Sequence, residues 1–291
     1  MMPLVAAAIA PHGFPIIPVL SDDAEGALET RKQMERLGLV FKDAAVEAVV
    51  IAGPHGIRVD GSFAVVDAAR VAGTLRWNGN VAEMNAPCDR PLLESLTKAA
   101  GESGLPVSRV SYAGNRADQA VAPLDWGAMT PMWFLGHDQN KEGSGDVLAP
   151  APDPNSSPGV VLVTPSRSLP LNMMVEFGRA IGLALEEDSR NVGFVASCDW
   201  AHTHREDGPY GFHESAARVD RAVVDALRRN VPESLLELDR HDIETAAIDG
   251  LWQTLMLAGV QEVVPLTIDV LSYEAPAYYG MIVAMAMPDG R

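Results

Sequence analysis

Two histidines sit in matched settings near the N-terminus. One lies in Ile9-Ala10-Pro11-His12-Gly13, directly after an apolar run at 4–9. The other lies in Ala52-Gly53-Pro54-His55-Gly56, directly after an apolar run at 46–51. Each is held between a proline and a glycine on a turn, so two imidazoles at the ends of two strands can converge on one point. Convergent neutral imidazoles are what a first-row transition metal takes. A third segment, Ser197-Cys198-Asp199-Trp200-Ala201-His202-Thr203-His204, follows a further apolar run at 192–196. Functional groups in parallel α/β sheets gather at the carboxyl ends of strands, and His12, His55 and His202 all occupy such positions. His137, His213 and His241 lack that setting and are expected at the surface.

The carboxylate that would complete a site is less sharply marked. Asp242, Glu244 and Asp249 lie on or near a helix expected over 243–258, and Asp249 interrupts its apolar face. A carboxylate there is costly to bury unless it is paired or coordinated; the alternative is a solvated residue on the outer face. Two histidines and one carboxylate leave open positions on an octahedral ion, the facial arrangement of non-haem Fe(II) oxygenases. His202 would then serve as acid or base, since an imidazole changes charge near neutrality.

The elements that must position these groups alternate. Strands are expected at 4–9, 45–52, 62–66, 74–77, 107–112, 159–164, 192–196, 263–270 and 281–287, and helices at 22–38, 91–104, 171–187, 213–230 and 243–258. Apolar strands alternating with helices of about 15 residues indicate an α/β fold, a three-layer α/β/α arrangement around a central, mixed but largely parallel sheet. Residues 115–157 read as loop-rich, and the Pro- and Ser-rich stretch at 141–158 reads as a flexible insertion in a single domain spanning 1–291.

The 291 residues suffice for a sizeable core. A net charge of -17 with no basic stripe argues against a nucleic-acid partner, because such binding rests on Lys and Arg. No apolar run approaches the roughly 18 residues of a membrane span. The N-terminal apolar segment lacks a basic flank and reads as a first strand rather than a signal peptide. Cys88 and Cys198 form no CxxC pair, so neither a disulfide framework nor a Cys-rich zinc site is expected, and a reducing cytoplasmic setting fits.

Taken together, Ala10-Pro11-His12-Gly13, Gly53-Pro54-His55, the Leu124-Asp125-Trp126-Gly127 to Pro131 segment and Ser197-Cys198-Asp199-Trp200-Ala201-His202 resemble the class III extradiol ring-cleavage dioxygenases of the protocatechuate 4,5-dioxygenase beta-subunit type. Gly208-Pro209-Tyr210-Gly211 and the stretch from Leu271 to Gly280 extend the resemblance through most of the chain. It implies Fe(II), with zinc or another divalent metal as a substitute, held by His12, His55 and a late-helix carboxylate. It implies His202 as the acid/base that handles a catechol hydroxyl proton. A small aromatic diol and O2 would be the reactants, both oxygen atoms would be inserted, and a homo-oligomer is expected. The chain departs from the family's pattern at three places. The third ligand is usually glutamate, whereas Asp249 falls there, with Glu244 or Glu274 as alternatives. Many relatives carry histidine where Trp126 stands, and His204 adds a second histidine beside His202. Trp126, His204 and Tyr210 are the candidates for substrate contact; otherwise Trp126, Trp133 and Trp200 are packing residues.

Two other classes compete. One is a metal-binding relative without dioxygenase activity, of the Memo type or a non-catalytic subunit. The other is a metallohydrolase built on His202, His204, Asp199 and Glu206.

Overall fold

The computed structural model describes residues 3–112, 114–138, 143–146, 148–151, 153 and 157–290. An eight-stranded mixed sheet runs through it. Its strands are β1 (Leu4–Ala10), β2 (Ala48–Ala52), β3 (Phe63–Val66), β6 (Val107–Val110), β8 (Gly159–Thr164), β9 (Val192–Ser197), β10 (Leu266–Glu274) and β11 (Met281–Pro288), in the order β10-β11-β1-β9-β2-β8-β3-β6. The remaining strands, β4 (Arg70–Trp77), β5 (Asn80–Pro87) and β7 (Val121–Pro123), form a separate three-stranded sheet.

The central strands are apolar on both faces, as a sheet covered on both sides requires. In β2, Ala48, Val50 and Ala52 enter one hydrophobic cluster, while Val49 and Ile51 enter another on the opposite face. This is the period-two alternation of a pleated strand. One face is covered by α2 (Arg90–Glu102), α4 (Asn172–Glu186), α5 (Ser215–Arg228) and α7 (Leu251–Val263). The other is covered by α1 (Leu28–Asp43), the short helix α3 (Trp126–Met132) and the small sheet. The second outer layer is therefore part helix and part sheet.

The parallel pairing of β1, β9, β2 and β8 matters most. Ala10 is level with Ser197, Ala52 with Ala196, and Ala52 also with Val163. Four adjacent strands thus end together, and the segments that leave them carry His12, Asp199 with His202, His55, and Arg167.

Several elements differ from those expected: β5 has no counterpart among the expected strands, and the strand expected at 263–270 runs instead from Leu266 to Glu274. The first helix starts at Leu28 rather than at 22, because Ala24, Glu25 and Gly26 all have positive φ in a separate turn capped by the Asp23 side chain. The helix expected at 243–258 is two, α6 (Arg240–Thr245) and α7, divided at Ala247 with φ 49°. Within the stretch read as loop, β7 and α3 form, the latter capped by Asp125, which accepts from the Ala128 N–H at 3.2 Å. Of the insertion at 141–158, residues 141, 142, 147, 152 and 154–156 lie outside the described residues. Among those described, no helix is long and apolar enough to cross a membrane.

Candidate metal centre

The two Pro-His-Gly turns are built alike. The His12 carbonyl accepts a hydrogen bond from the buried Thr130 hydroxyl at 3.1 Å, and the His55 carbonyl accepts one from Thr164 at 2.8 Å. Glycine is needed at both. Gly56 has φ +87°, and a Cβ there would lie 2.7 Å from Asp125 Oδ2, while a Cβ at Gly13 would collide with the Tyr279 hydroxyl. The Asp199 carboxylate accepts the His12 backbone N–H at 3.1 Å, tying the first turn to the end of β9.

Asp249 arrives from the opposite direction. It sits in the break before α7, not on a helical face, and is 5% exposed. Gly250 permits this placement: a Cβ on it would be 2.8 Å from Cys198 Cβ and 2.9 Å from the Asp199 carbonyl. The helix start therefore lies directly on the end of β9.

His12, His55 and Asp249 each offer a ligand atom, all within 4.8 Å of one another. Asp249 Oδ2 lies 3.4 Å from His12 Nε2, 3.7 Å from His55 Nε2 and 3.8 Å from His202 Nε2. Donors about 2.1 Å from a shared ion lie roughly 3.0–3.4 Å apart around it, so small adjustments close the cluster on a metal. Asp249 Oδ1 is buried without a hydrogen-bond partner in the protein, which leaves an acceptor for a cation.

Hydrogen bonds fix the faces of two imidazoles. Ser197 donates to the Gly127 carbonyl at 2.5 Å, so its oxygen accepts from His12 Nδ1 at 3.1 Å and leaves Nε2 as the ligating lone pair. In His202, Nδ1 is 2.6 Å from the Trp200 carbonyl, which can only accept, so Nε2 again faces the centre. Tyr279 stacks on the His202 ring with centroids 5.7 Å apart, and Tyr210 meets it edge-on at 5.7 Å.

The electrostatics call for positive charge. Burial, the largest influence on His12, disfavours its charged form, but Asp199 and Asp249 outweigh burial and push it up to about 9. Burial, joined by the charge on His12, brings His55 down to about 4. Burial acts to raise Asp249, yet His12, His202 and His55 hold its carboxyl below the ordinary range. Burial raises Asp199. A proton on His12 thus supplies the charge that a bound metal would supply in its place.

The other sequence candidates lie elsewhere or beside the cluster. Glu244 pairs with Arg240 on the surface, and Glu274 accepts from the Thr30 N–H and hydroxyl, so neither reaches the cluster. His204 Nε2 is 2.8 Å from Asp220 Oδ2, away from the three converging donors. Trp126, 42% exposed, lies against His55 with ring centroids 4.3 Å apart; Trp200 is fully buried. His137, expected at the surface, is 5% exposed, its two ring nitrogens facing the Met132 and Pro158 carbonyls. Asp199 enters the sequence reading only through the competing metallohydrolase and Ser197 only through the segment leading to His202, whereas the structure sets both against His12.

Residues 6–283 match the family described as the catalytic LigB subunit of aromatic ring-opening dioxygenase. The chain belongs to this family. The candidate centre lies at the carboxyl ends of β1, β9 and β2, with Asp249 entering from the start of α7. The chain is 22% identical over 268 residues to Protein CA_C1420 of Clostridium acetobutylicum, covering 91% of this chain and 54% of that protein. It thus spans about half the length of this relative. Its fold is that of the uncharacterized protein JW3007 from Escherichia coli K12, with a TM-score of 0.62 at 15% identity, covering 97% of this chain and 99% of that one.

Proposed function

We propose that this LigB-type chain is an Fe(II)-dependent extradiol dioxygenase that opens the ring of an aromatic ortho-diol with O2. The observation that carries this reading is the convergence of His12, His55 and Asp249, with His202 Nε2 facing the same carboxylate oxygen. Bound Fe(II) would hold the diol and O2 side by side and pass electrons between them. The net reaction breaks one ring carbon–carbon bond beside the diol and inserts both oxygen atoms, with no external reductant.

The chain's own residues do the rest. His12 and Asp249 are almost wholly buried, which keeps bulk water from the inner side of the centre. His55 and His202 keep some exposure and form the side that a substrate can reach. Because its Nδ1–H is committed to the Trp200 carbonyl, His202 can take a diol hydroxyl proton at Nε2 and later return it. Tyr279 and Tyr210 keep that imidazole in place. Trp126 offers an aromatic wall beside His55.

Trp126 also motivates a second reading, a metal-binding relative without ring-cleaving activity, since a bulky indole stands where many relatives carry histidine. Anaerobic loading with Fe(II), followed by a panel of catechols under oxygen, separates the two. The dioxygenase reading predicts oxygen uptake and yellow ring-fission products. Absence of both across the panel, with a filled metal site, would support the second.

A further inference from the structure

Three imidazoles turn toward Asp249 Oδ2. Two of them are locked by a hydrogen bond at the far ring nitrogen, His12 to Ser197 and His202 to the Trp200 carbonyl. The described residues give the His55 ring no hydrogen-bond partner; it is the His55 carbonyl that accepts, from Thr164 at 2.8 Å. Ring contacts surround this imidazole, with His12 edge-on at 4.9 Å and Trp126 tilted over it at 4.3 Å. Since His55 Nε2 lies toward Asp249, Nδ1 is the nitrogen that still needs an acceptor. A ligating histidine donates that second N–H to a carboxylate, a carbonyl or a water, which fixes the tautomer and raises the basicity of the ligating nitrogen.

Beside His55 lies a cavity of about 20 Å³, between the ends of β2, β3 and β8 and the start of α3. A polar cavity holds a single water from roughly 10–15 Å³ upward, and a buried water makes about three hydrogen bonds. His55, Asp125 and Thr164 supply the polar part of the lining, and Val66 is part of the apolar wall. Gly56 keeps the space open between two of these groups. The point where a Cβ would sit is 2.7 Å from Asp125 Oδ2 and 3.5 Å from Thr164 Oγ1, so both oxygens face one spot. Their other bonds are already made. Asp125 Oδ1 caps α3 by accepting the Ala128 N–H at 3.2 Å, while Oδ2 faces Gly56. The Thr164 hydroxyl gives its proton to the His55 carbonyl and keeps its lone pairs free to accept.

We propose that this cavity binds one water that accepts the His55 Nδ1–H and donates to Asp125 Oδ2 and Thr164 Oγ1. Asp125 is then a positioning residue. It holds the second metal-ligating imidazole through a water, as Ser197 holds the first directly. Glycine at 56 follows from the same arrangement, since a Cβ there would fill the water's place. The proposal rests on the reading of His12, His55 and Asp249 as metal ligands and is independent of ring cleavage.

The test compares wild type with Asp125→Asn and Val66→Ile. Asparagine still caps α3 through its oxygen but turns an N–H toward the cavity, where the water needs an acceptor. Isoleucine adds one methyl group to the cavity wall and leaves Asp125 untouched. Zn(II) affinity from chelator competition should fall about 10- to 100-fold in Asp125→Asn and at least about threefold in Val66→Ile. Urea unfolding of metal-free Asp125→Asn should stay close to wild type, because Asn and Asp cap helices about equally well. Crystals of the zinc-loaded wild type should show the water within hydrogen-bond distance of His55 Nδ1, Asp125 Oδ2 and Thr164 Oγ1, and those of Val66→Ile should lack it. Wild-type crystals without that water overturn this proposal alone. So does affinity within about twofold of wild type in Asp125→Asn, or in Val66→Ile protein that has lost the water. A wild type that binds no Zn(II) overturns the metal reading and this proposal with it.

Discussion

Replacing Ser197 by alanine tests how the fold tunes its first histidine. The hydroxyl is fully buried, accepts from His12 Nδ1 at 3.1 Å and donates to the Gly127 carbonyl at 2.5 Å. Ser197→Ala leaves a buried imidazole N–H without an acceptor in the protein, at a cost of about 1–3 kcal/mol. It also frees the ring to rotate or change tautomer, either of which removes the Nε2 lone pair from the metal. If about 1.4–2.8 kcal/mol of this is felt in binding, affinity for a divalent ion falls about 10- to 100-fold. The assay is competition for Zn(II) or Co(II) against a chromophoric chelator, alongside urea unfolding of the metal-free protein. The reasoning is refuted if unfolding stability drops by the expected amount while metal affinity stays within twofold of wild type. Ser197 would then be packing for β9, with no influence on His12 as a ligand.

Other expectations follow from the same geometry. Gly250→Ala should displace the start of α7 from the end of β9, cost about 1–3 kcal/mol in stability and weaken metal binding, because Asp249 moves with it; chelator competition reads the second effect. Asp220 is fully buried and accepts from the Ala201 N–H at 3.0 Å, from Tyr273 at 2.8 Å and from His204 at 2.8 Å, so Asp220→Asn should cost about 3 kcal/mol by urea titration. Since Ala201 precedes His202, the same variant should lower kcat for ring cleavage more than it raises KM. Burial lowers the His137 pKa from 6.5, so the fold holds the neutral ring. The unfolded chain then takes up more protons as pH falls through 6.5, and the stability from burying a neutral ring is full above that value and is lost below it. His137→Gln should make the acid limb of a stability-against-pH curve shallower, and an identical limb would contradict this.

The strand ends were legible because β1, β2 and β9 are short, apolar on both faces and followed at once by histidine-bearing turns. That pattern places His12, His55 and His202 at one edge without any knowledge of pairing. Sequence patterning marks Asp249 only in part. Its apolar neighbours suggested one continuous helix, but Ala247 adopts positive φ and ends the first helix, which places the aspartate at a helix start. Helical periodicity carries no information about such a break. Asp220 was illegible for a different reason: it acts through contacts made across the fold, with the loop bearing His202. His137 could not be told from a surface histidine, because its burial depends on chain near Pro158 that lies 21 residues away.

The central claim is that His12, His55 and Asp249 together hold one divalent metal ion. It is tested most directly by metal stoichiometry after Fe(II) loading and gel filtration, in wild type and in four single alanine variants. The account predicts about one iron per chain in wild type and in His204→Ala, and almost none in His12→Ala, His55→Ala and Asp249→Ala. Retention of iron by folded His12→Ala together with its loss from His204→Ala would contradict it.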